Sequence, residues 1–308
     1  MSADSVAPPT TAVSAATSPD QADRPPAGRS RRAGRAPGRR INWWLTALMV
    51  VLSLTVLIPL YFAIVTALKT PDELGGAGFA PPADPRLANF ADAWRLTNFP
   101  NAALNSALIT VGAVVLTLLT NSMVAYAISR NMHRRLFRGL FYYFVSALFV
   151  PFPIIMLPVA KQTALLAMDN QVGLIFLYVV YGLALNVFIY VGYLNSVPRE
   201  LEEAAFTEGA GIWTTFWRVI FPLLGPINAT VGILTCLWAW NDFLLPLVIL
   251  SSPDAQTLPL VQYVFQGQFS TNYTVAFASY LMALAPMVLV YVIAQRWVIS
   301  GVMRGSIK

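Results

Sequence analysis

Four of the fourteen Asp and Glu residues, Glu200, Glu202, Glu203 and Glu208, fall within nine positions of this chain. Ala204, Ala205, Gly209, Ala210 and Gly211 are interleaved with them, so the stretch is both charged and thin. Such a surface suits close docking of a partner. A second constellation is Trp240-Asn241-Asp242-Phe243. A carboxylate and an amide hydrogen-bond hydroxyl groups well, and Trp238, Trp240 and Phe243 offer faces for a pyranose ring, which would make a polar solute path. The competing and stronger reading is an interfacial aromatic belt with an Asp that packs helices.

Most other chemistry is missing from the sequence. Lys69, Lys161 and Lys308 are the only lysines, and none follows the glycines of a phosphate-binding loop, so any ATP must be hydrolysed by a separate subunit. His133 lies among arginines and reads as solvated, and Cys236 sits in an apolar segment where a lone thiol packs. No nucleophile, metal cluster or cofactor motif points to an enzyme. Ion-coupled transport places charge at mid-membrane, and Asp242 is the one acidic residue the apolar segments offer. Standing about 20 residues after Pro222, or roughly 30 Å along a helix, it belongs near the outer end. An ion-coupled secondary transporter for a small polar solute is the alternative this residue keeps open.

The elements that position these residues follow from composition. Hydrophobic residues make up 57% of 308 residues, charged residues 11%, and mean hydropathy is +0.62, values of an all-α multi-spanning membrane protein. Six segments of about 20 or more apolar residues qualify as spans, at about 43–67, 104–128, 139–160, 173–196, 222–250 and 275–298. Residues 1–40, rich in Ala, Pro, Ser and Arg, read as a disordered tail. Seven arginines between Arg24 and Arg40 are followed by Arg130, Arg134, Arg135 and Arg138, then by Arg199 and Arg218, then by Arg296, Arg304 and Lys308. They occupy alternate connections, which makes those connections and both termini cytoplasmic. The same distribution explains a net charge of +6 through topology and anionic lipid, with no nucleic acid as partner. The longest outer connection, 69–103, contains a short helical stretch around Leu87 to Trp94; it is either a contact for an external partner or a cap over the bundle.

Within Pro198 to Pro226, Glu and Ala favour helix and Gly209 and Gly211 break it, which predicts helix, turn and a second helix from Ile212 to about Phe221, ending before Pro222. Ile212, Phe216, Val219 and Ile220 form an apolar stripe on it, and Trp213 and Trp217 are anchors at the membrane surface. Glu203-Ala204-Ala205, then Gly209, then Val219-Ile220-Phe221-Pro222 resembles the EAA loop of ABC importer permeases. Val219, Phe221 and Glu208 depart from its usual residues with similar chemistry. Asn105-Ser106, Ala125-Tyr126-Ala127-Ile128-Ser129-Arg130, Trp240-Asn241-Asp242-Phe243 and Gly301 to Lys308 resemble the same family's carbohydrate branch, so residues 41–308 read as one permease domain of the six-span, maltose-transporter kind.

The resemblance implies a permease subunit in a bacterial inner membrane that forms half of a sugar or oligosaccharide pathway and works by alternating access. It implies a second permease subunit, two copies of an ATP-binding subunit and an extracytoplasmic substrate-binding protein. Glu203, Ala204, Ala205, Glu208, Gly209 and Pro222 would then belong to the helix–turn–helix that docks in the ATPase. Gly305 and Lys308 would make a second ATPase contact.

Overall fold

The computed structural model describes residues 42–266 and 272–305, and all regular structure among them is helical. In chain order the helices are α1 (Trp43–Leu68), α2 (Ala88–Leu96), α3 (Phe99–Arg130), α4 (Arg135–Ala147), α5 (Phe152–Leu165), α6 (Gln171–Leu194) and α7 (Glu200–Thr207). They continue as α8 (Ile212–Thr215), α9 (Phe221–Leu223), α10 (Gly225–Asn241), α11 (Leu244–Ile249), α12 (Leu258–Gln262) and α13 (Tyr273–Gly305). The predicted tail and Lys308 lie outside the described residues. Contacts divide the chain into Met1–Leu52, whose described part is the exposed opening of α1, and Ser53–Lys308.

Four helices, α1, α3, α6 and the Tyr273–Ile293 part of α13, are each long and apolar enough to cross a membrane. The other two expected spans are not single helices. Within 139–160, α4 and α5 meet at 106°. Pro151 is the reason: it has no N–H to continue the helix and holds the residue before it away from helical dihedrals, and Pro151 itself is extended at φ −65°, ψ 129°. Within 222–250, α10 is bent by 77° from the helical run Ile212–Leu223 and stops again at Asn241, before the short α11. Counting each bent pair as one crossing restores six.

The α3–α6 pair is the spine of the second unit. Ile109 and Ala113 of α3 meet Leu174 and Tyr178 of α6, while Ala125 and Ile128 meet Val187, Tyr190 and Val191 further along. Small residues permit the approach: a Cβ on Gly112 would stand 2.9 Å from Ile175 Cδ1. In lipid such contacts rest on packing and hydrogen bonds more than on water release. Asn121 Nδ2 donates to the Val179 carbonyl at 3.4 Å, a bond between helices, and Ser129 Oγ donates to Asn195 Oδ1 at 3.4 Å. Asn186 differs, because its amide nitrogen is buried without a partner.

Two polar clusters fasten the ends of the helices away from the glutamate-rich loop. Asn105 Nδ2 donates to the carbonyls of Asp254 and Gln256 at 2.7 and 3.0 Å, and its oxygen accepts from Gln171 Nε2 at 2.8 Å. Ser106 Oγ accepts the Leu258 N–H at 2.8 Å, so the Asn-Ser pair holds the chain that enters α12. In the connection before α2, buried Lys69 donates to the carbonyls of Ala77 and Gly78 at 3.0 and 3.1 Å. Glu73 accepts the N–H groups of Thr70 and Ala83 at 3.0 and 2.9 Å, and Asn89 Nδ2 donates to the carbonyls of Ala67 and Lys69. The sequence placed the short helix of this loop well, since α2 covers Ala88–Leu96.

Replacing Asn105 by Leu leaves the carbonyls it serves and the Gln171 amide short of partners, an expected loss of about 1–3 kcal/mol that a thermal unfolding midpoint in detergent will read. Backbone donors, Thr70 first and then Ala83, hold the Glu73 carboxyl below its ordinary value. A depressed folded pKa contributes order that is complete above the ordinary carboxylate pKa and is lost as pH falls through the lowered one. Protection of the Thr70 and Ala83 amides from exchange therefore falls at acid pH, and Glu73→Gln abolishes that dependence.

Candidate functional site

Helix α7 presents its glutamates in two directions. Glu203, Ala204 and Glu208 are exposed, Ala205 is half-buried, and Glu202 is buried at 6% exposure. The burial has a specific cause. Arg130, the last residue of α3, brings Nε and Nη2 each to 2.6 Å from Glu202 Oε1. The Tyr126 hydroxyl, one turn earlier, donates to Glu202 Oε2 at 2.8 Å. The rest of the guanidinium caps the end of α6, with Nη1 on the Leu194 carbonyl at 3.0 Å and Nη2 on that of Val197 at 3.3 Å. The guanidinium carbon also lies 6.0 Å from the centroid of the Tyr126 ring. One carboxylate thus joins α3, α6 and α7.

The turn after α7 is made by Gly209 at φ 84°, a left-handed conformation that side chains disfavour. A Cβ there would meet nothing within 4 Å, so the glycine is required by backbone shape and faces open space. The second limb starts as expected at Ile212 but runs past the expected stop. After α8 the backbone widens into a π turn over Phe216–Ile220, with the Phe221 N–H bonded to the Phe216 carbonyl, and continues as α9. Pro222 falls in the opening turn of α9, where a missing N–H costs no helical bond, which is why it does not end the helix. Of the apolar stripe, Phe216 and Ile220 are buried and Val219 is half-buried, whereas Ile212 is 68% exposed. The Phe216 ring lies against that of Tyr126, tilted by 44° with centroids 5.2 Å apart, tying this limb to the same cluster. Trp213 and Trp217 remain exposed.

The Trp240-Asn241-Asp242-Phe243 stretch does not converge on one space. Trp240 is turned into the packing of α10 against α13, only 8% exposed, with its indole N–H 3.3 Å from the Ala283 carbonyl. Asp242 sits in the break after α10, where Oδ1 accepts the Leu244 N–H and Oδ2 accepts the Tyr178 hydroxyl, both at 3.1 Å. Phe243 lies against Tyr263 at 5.2 Å, and Asn241 alone of the four is exposed. Asp242 thereby links the break after α10 to α6. Gly305 closes α13, and Lys308 is beyond the described residues.

A sequence model described as "Binding-protein-dependent transport system inner membrane component" matches residues 121–304, which hold this arginine, the glutamate-rich loop and most of α13. The chain belongs to that family. The multiple sugar-binding transport system permease protein MsmG of Streptococcus mutans is 38% identical over 275 residues, covering 87% of this chain and 98% of that protein. The melibiose/raffinose/stachyose import permease protein MelC of Bacillus subtilis is 31% identical over 279 residues, covering 90% and 99%. A crystal structure of a bacterial ABC transporter involved in the import of the acidic polysaccharide alginate contains a chain of like fold, with a TM-score of 0.70 at 22% identity, over 85% of this chain and 98% of that one. As a family member the protein is a multi-pass component of the inner membrane.

Sequence reasoning counted Glu202 among four equivalent acids and took Arg130 as a topology signal and the end of the Ala125–Arg130 family motif, without pairing the two. The clue was there in part: Tyr126 and Arg130 are four apart, so they share a helix face at the end of α3. Removing one partner of a buried pair leaves the other charge uncompensated. Arg130→Met is expected to destabilise the protein by about 3–5 kcal/mol, and Arg130→Met with Glu202→Leu to recover most of that loss, as measured by unfolding of the purified protein in one detergent.

Proposed function

We propose that the chain is a permease subunit of an ATP-driven importer for a sugar or oligosaccharide, forming half of its pathway with a second permease subunit. The observation that carries this reading is the loop itself: α7, the Gly209 turn and α8 present Glu203, Ala204, Glu208, Ile212 and Trp213 outward, while Glu202 anchors the same element to α3. Exposed acids and apolar groups on a short, rigidly held element form a docking face for a soluble partner. The names of MsmG and MelC supply the sugar.

The assembly has two copies of an ATP-binding subunit, which hydrolyse the ATP; one of them docks on this face, and the chain itself carries no catalysis. An extracytoplasmic binding protein delivers the substrate. Both termini lie in the cytoplasm with the docking face, and the C-terminal end around Gly305 and Lys308 makes a second contact with the ATPase. Closure of the ATPase pair displaces α7, and the Arg130–Glu202 pair passes that displacement to α3. At its far end α3 holds the 254–258 segment through Asn105 and Ser106, so a push on one end of a helix of about 48 Å reaches the other. Alternating access follows as a rigid movement of packed helices.

Gly209→Asp places a charged side chain at a left-handed turn on the docking face. In vesicles containing the complete assembly, the expected result is a normally inserted protein, ATP hydrolysis that no longer answers to the binding protein, and uptake reduced at least about ten-fold, a loss of about 1.4 kcal/mol or more in coupling. Normal uptake by this variant overturns the coupling role. Uptake by the wild type that ignores ATP and collapses with a proton or sodium gradient instead establishes the ion-coupled alternative.

A further inference from the structure

Neither the docking loop nor the α3–α6 spine uses the opening of α4. Just beyond the Arg130 that holds Glu202, Arg134, Arg135 and Arg138 crowd around the start of that helix, all of them exposed. None of the three guanidiniums makes a hydrogen bond or ion pair among the described residues, where Arg130–Glu202 is the one salt bridge. Like charges on neighbouring turns repel one another unless an anion lies between them. The remainder of α4 shows the surroundings of that anion. Phe137, Leu140, Phe141 and Phe144 pack on the cluster that holds Tyr190, Val191 and Leu194 of α6. The opposite face, with Arg135, Arg138, Gly139 and Tyr142 at helical spacing, is open. A Cβ on Gly139 would meet nothing within 4 Å, so the backbone itself can be approached between the arginines and the ring. Tyr142 and Tyr143 are 63% and 69% exposed.

One face of α4 thus passes from guanidinium to aromatic ring over about 6 to 10 Å of helix. A phospholipid presents its phosphate, glycerol and acyl chains in the same order, and α4 with α5 is long and apolar enough for one membrane crossing. Guanidinium forks hold phosphate oxygens in pairs, and tyrosine rings sit at the level between headgroups and chains. The acids of a soluble partner would satisfy the arginines but leave the two rings further along the helix uncovered. We propose that Arg134, Arg135 and Arg138 bind the phosphate headgroup of an anionic phospholipid, which enters over Gly139 and lays its chains along Tyr142 and Tyr143. The site goes beyond the importer reading, since it depends on the membrane around the chain and on nothing about the solute carried.

The test titrates the full chain, purified in detergent, with dioleoyl phosphatidylglycerol or dioleoyl phosphatidylcholine and counts the lipid retained by native mass spectrometry. The wild type is expected to prefer the anionic lipid at least about ten-fold. Arg138→Gln lowers that affinity about five-fold, the effect of one basic side chain near an anionic surface, and leaves phosphatidylcholine binding unchanged. Replacing Arg134, Arg135 and Arg138 together by Gln abolishes the preference, whereas replacing them together by Lys keeps it within about three-fold, which separates lost charge from a damaged fold. Arg95→Gln removes the same charge from exposed α2 and has no effect. A wild type indifferent to headgroup overturns the site. So does an equal fall in Arg95→Gln and Arg138→Gln, which leaves net charge alone as the cause. A preference present in the chain but absent from the complete assembly gives these arginines to a protein partner and overturns it as well.

Discussion

A carboxylate taken out of water must find a positive charge and donors for its remaining lone pairs, and Glu202 finds all of them on α3. That requirement fixes which side of α7 faces inward and so which side is left exposed. It also ties the ends of α3 and α6 together, because the guanidinium that meets Glu202 also caps the carbonyls at the end of α6. Burial of such a pair is not in itself a source of stability, since desolvation offsets most of the attraction. Its effect is geometric: only one placement of α7 satisfies both ions.

At the other end of α3, neutral groups do comparable work. Asn105 and Ser106 serve backbone groups of the segment leading into α12, which irregular chain buried against helices must have. One helix therefore carries a charged fastening at one end and a neutral one at the other. Between them, small residues keep it in close contact with α6, so the two ends are mechanically joined through packed side chains.

The helical breaks have separate physical origins. Pro151 turns α4 into α5 by removing a donor and restricting its neighbour, whereas α10 ends where Asp242 offers its carboxylate to the Leu244 N–H and the Tyr178 hydroxyl. The first is local and was open to reading from the two prolines in Val-Pro-Phe-Pro. The second needed a tyrosine 64 positions away. Pro222 shows the reverse error: a proline expected to stop a helix is harmless once a π turn places it in an opening turn.

Much was determined by the sequence alone, because the signals are local or compositional. Runs of about 20 apolar residues determine which segments enter lipid, glycine at 209 determines the turn, and the acid-and-alanine stretch determines the short helix before it. Tertiary structure decided what depends on distant partners: that Glu202 faces inward to Arg130 while Glu203 faces out, that Trp240 packs on Ala283 while Trp238 keeps a free face, and that Asn186 lacks the partner Asn121 has. Neighbouring residues of one type look alike in sequence, and helical rotation of about 100° per residue sends them to different surroundings that only the packed helices define.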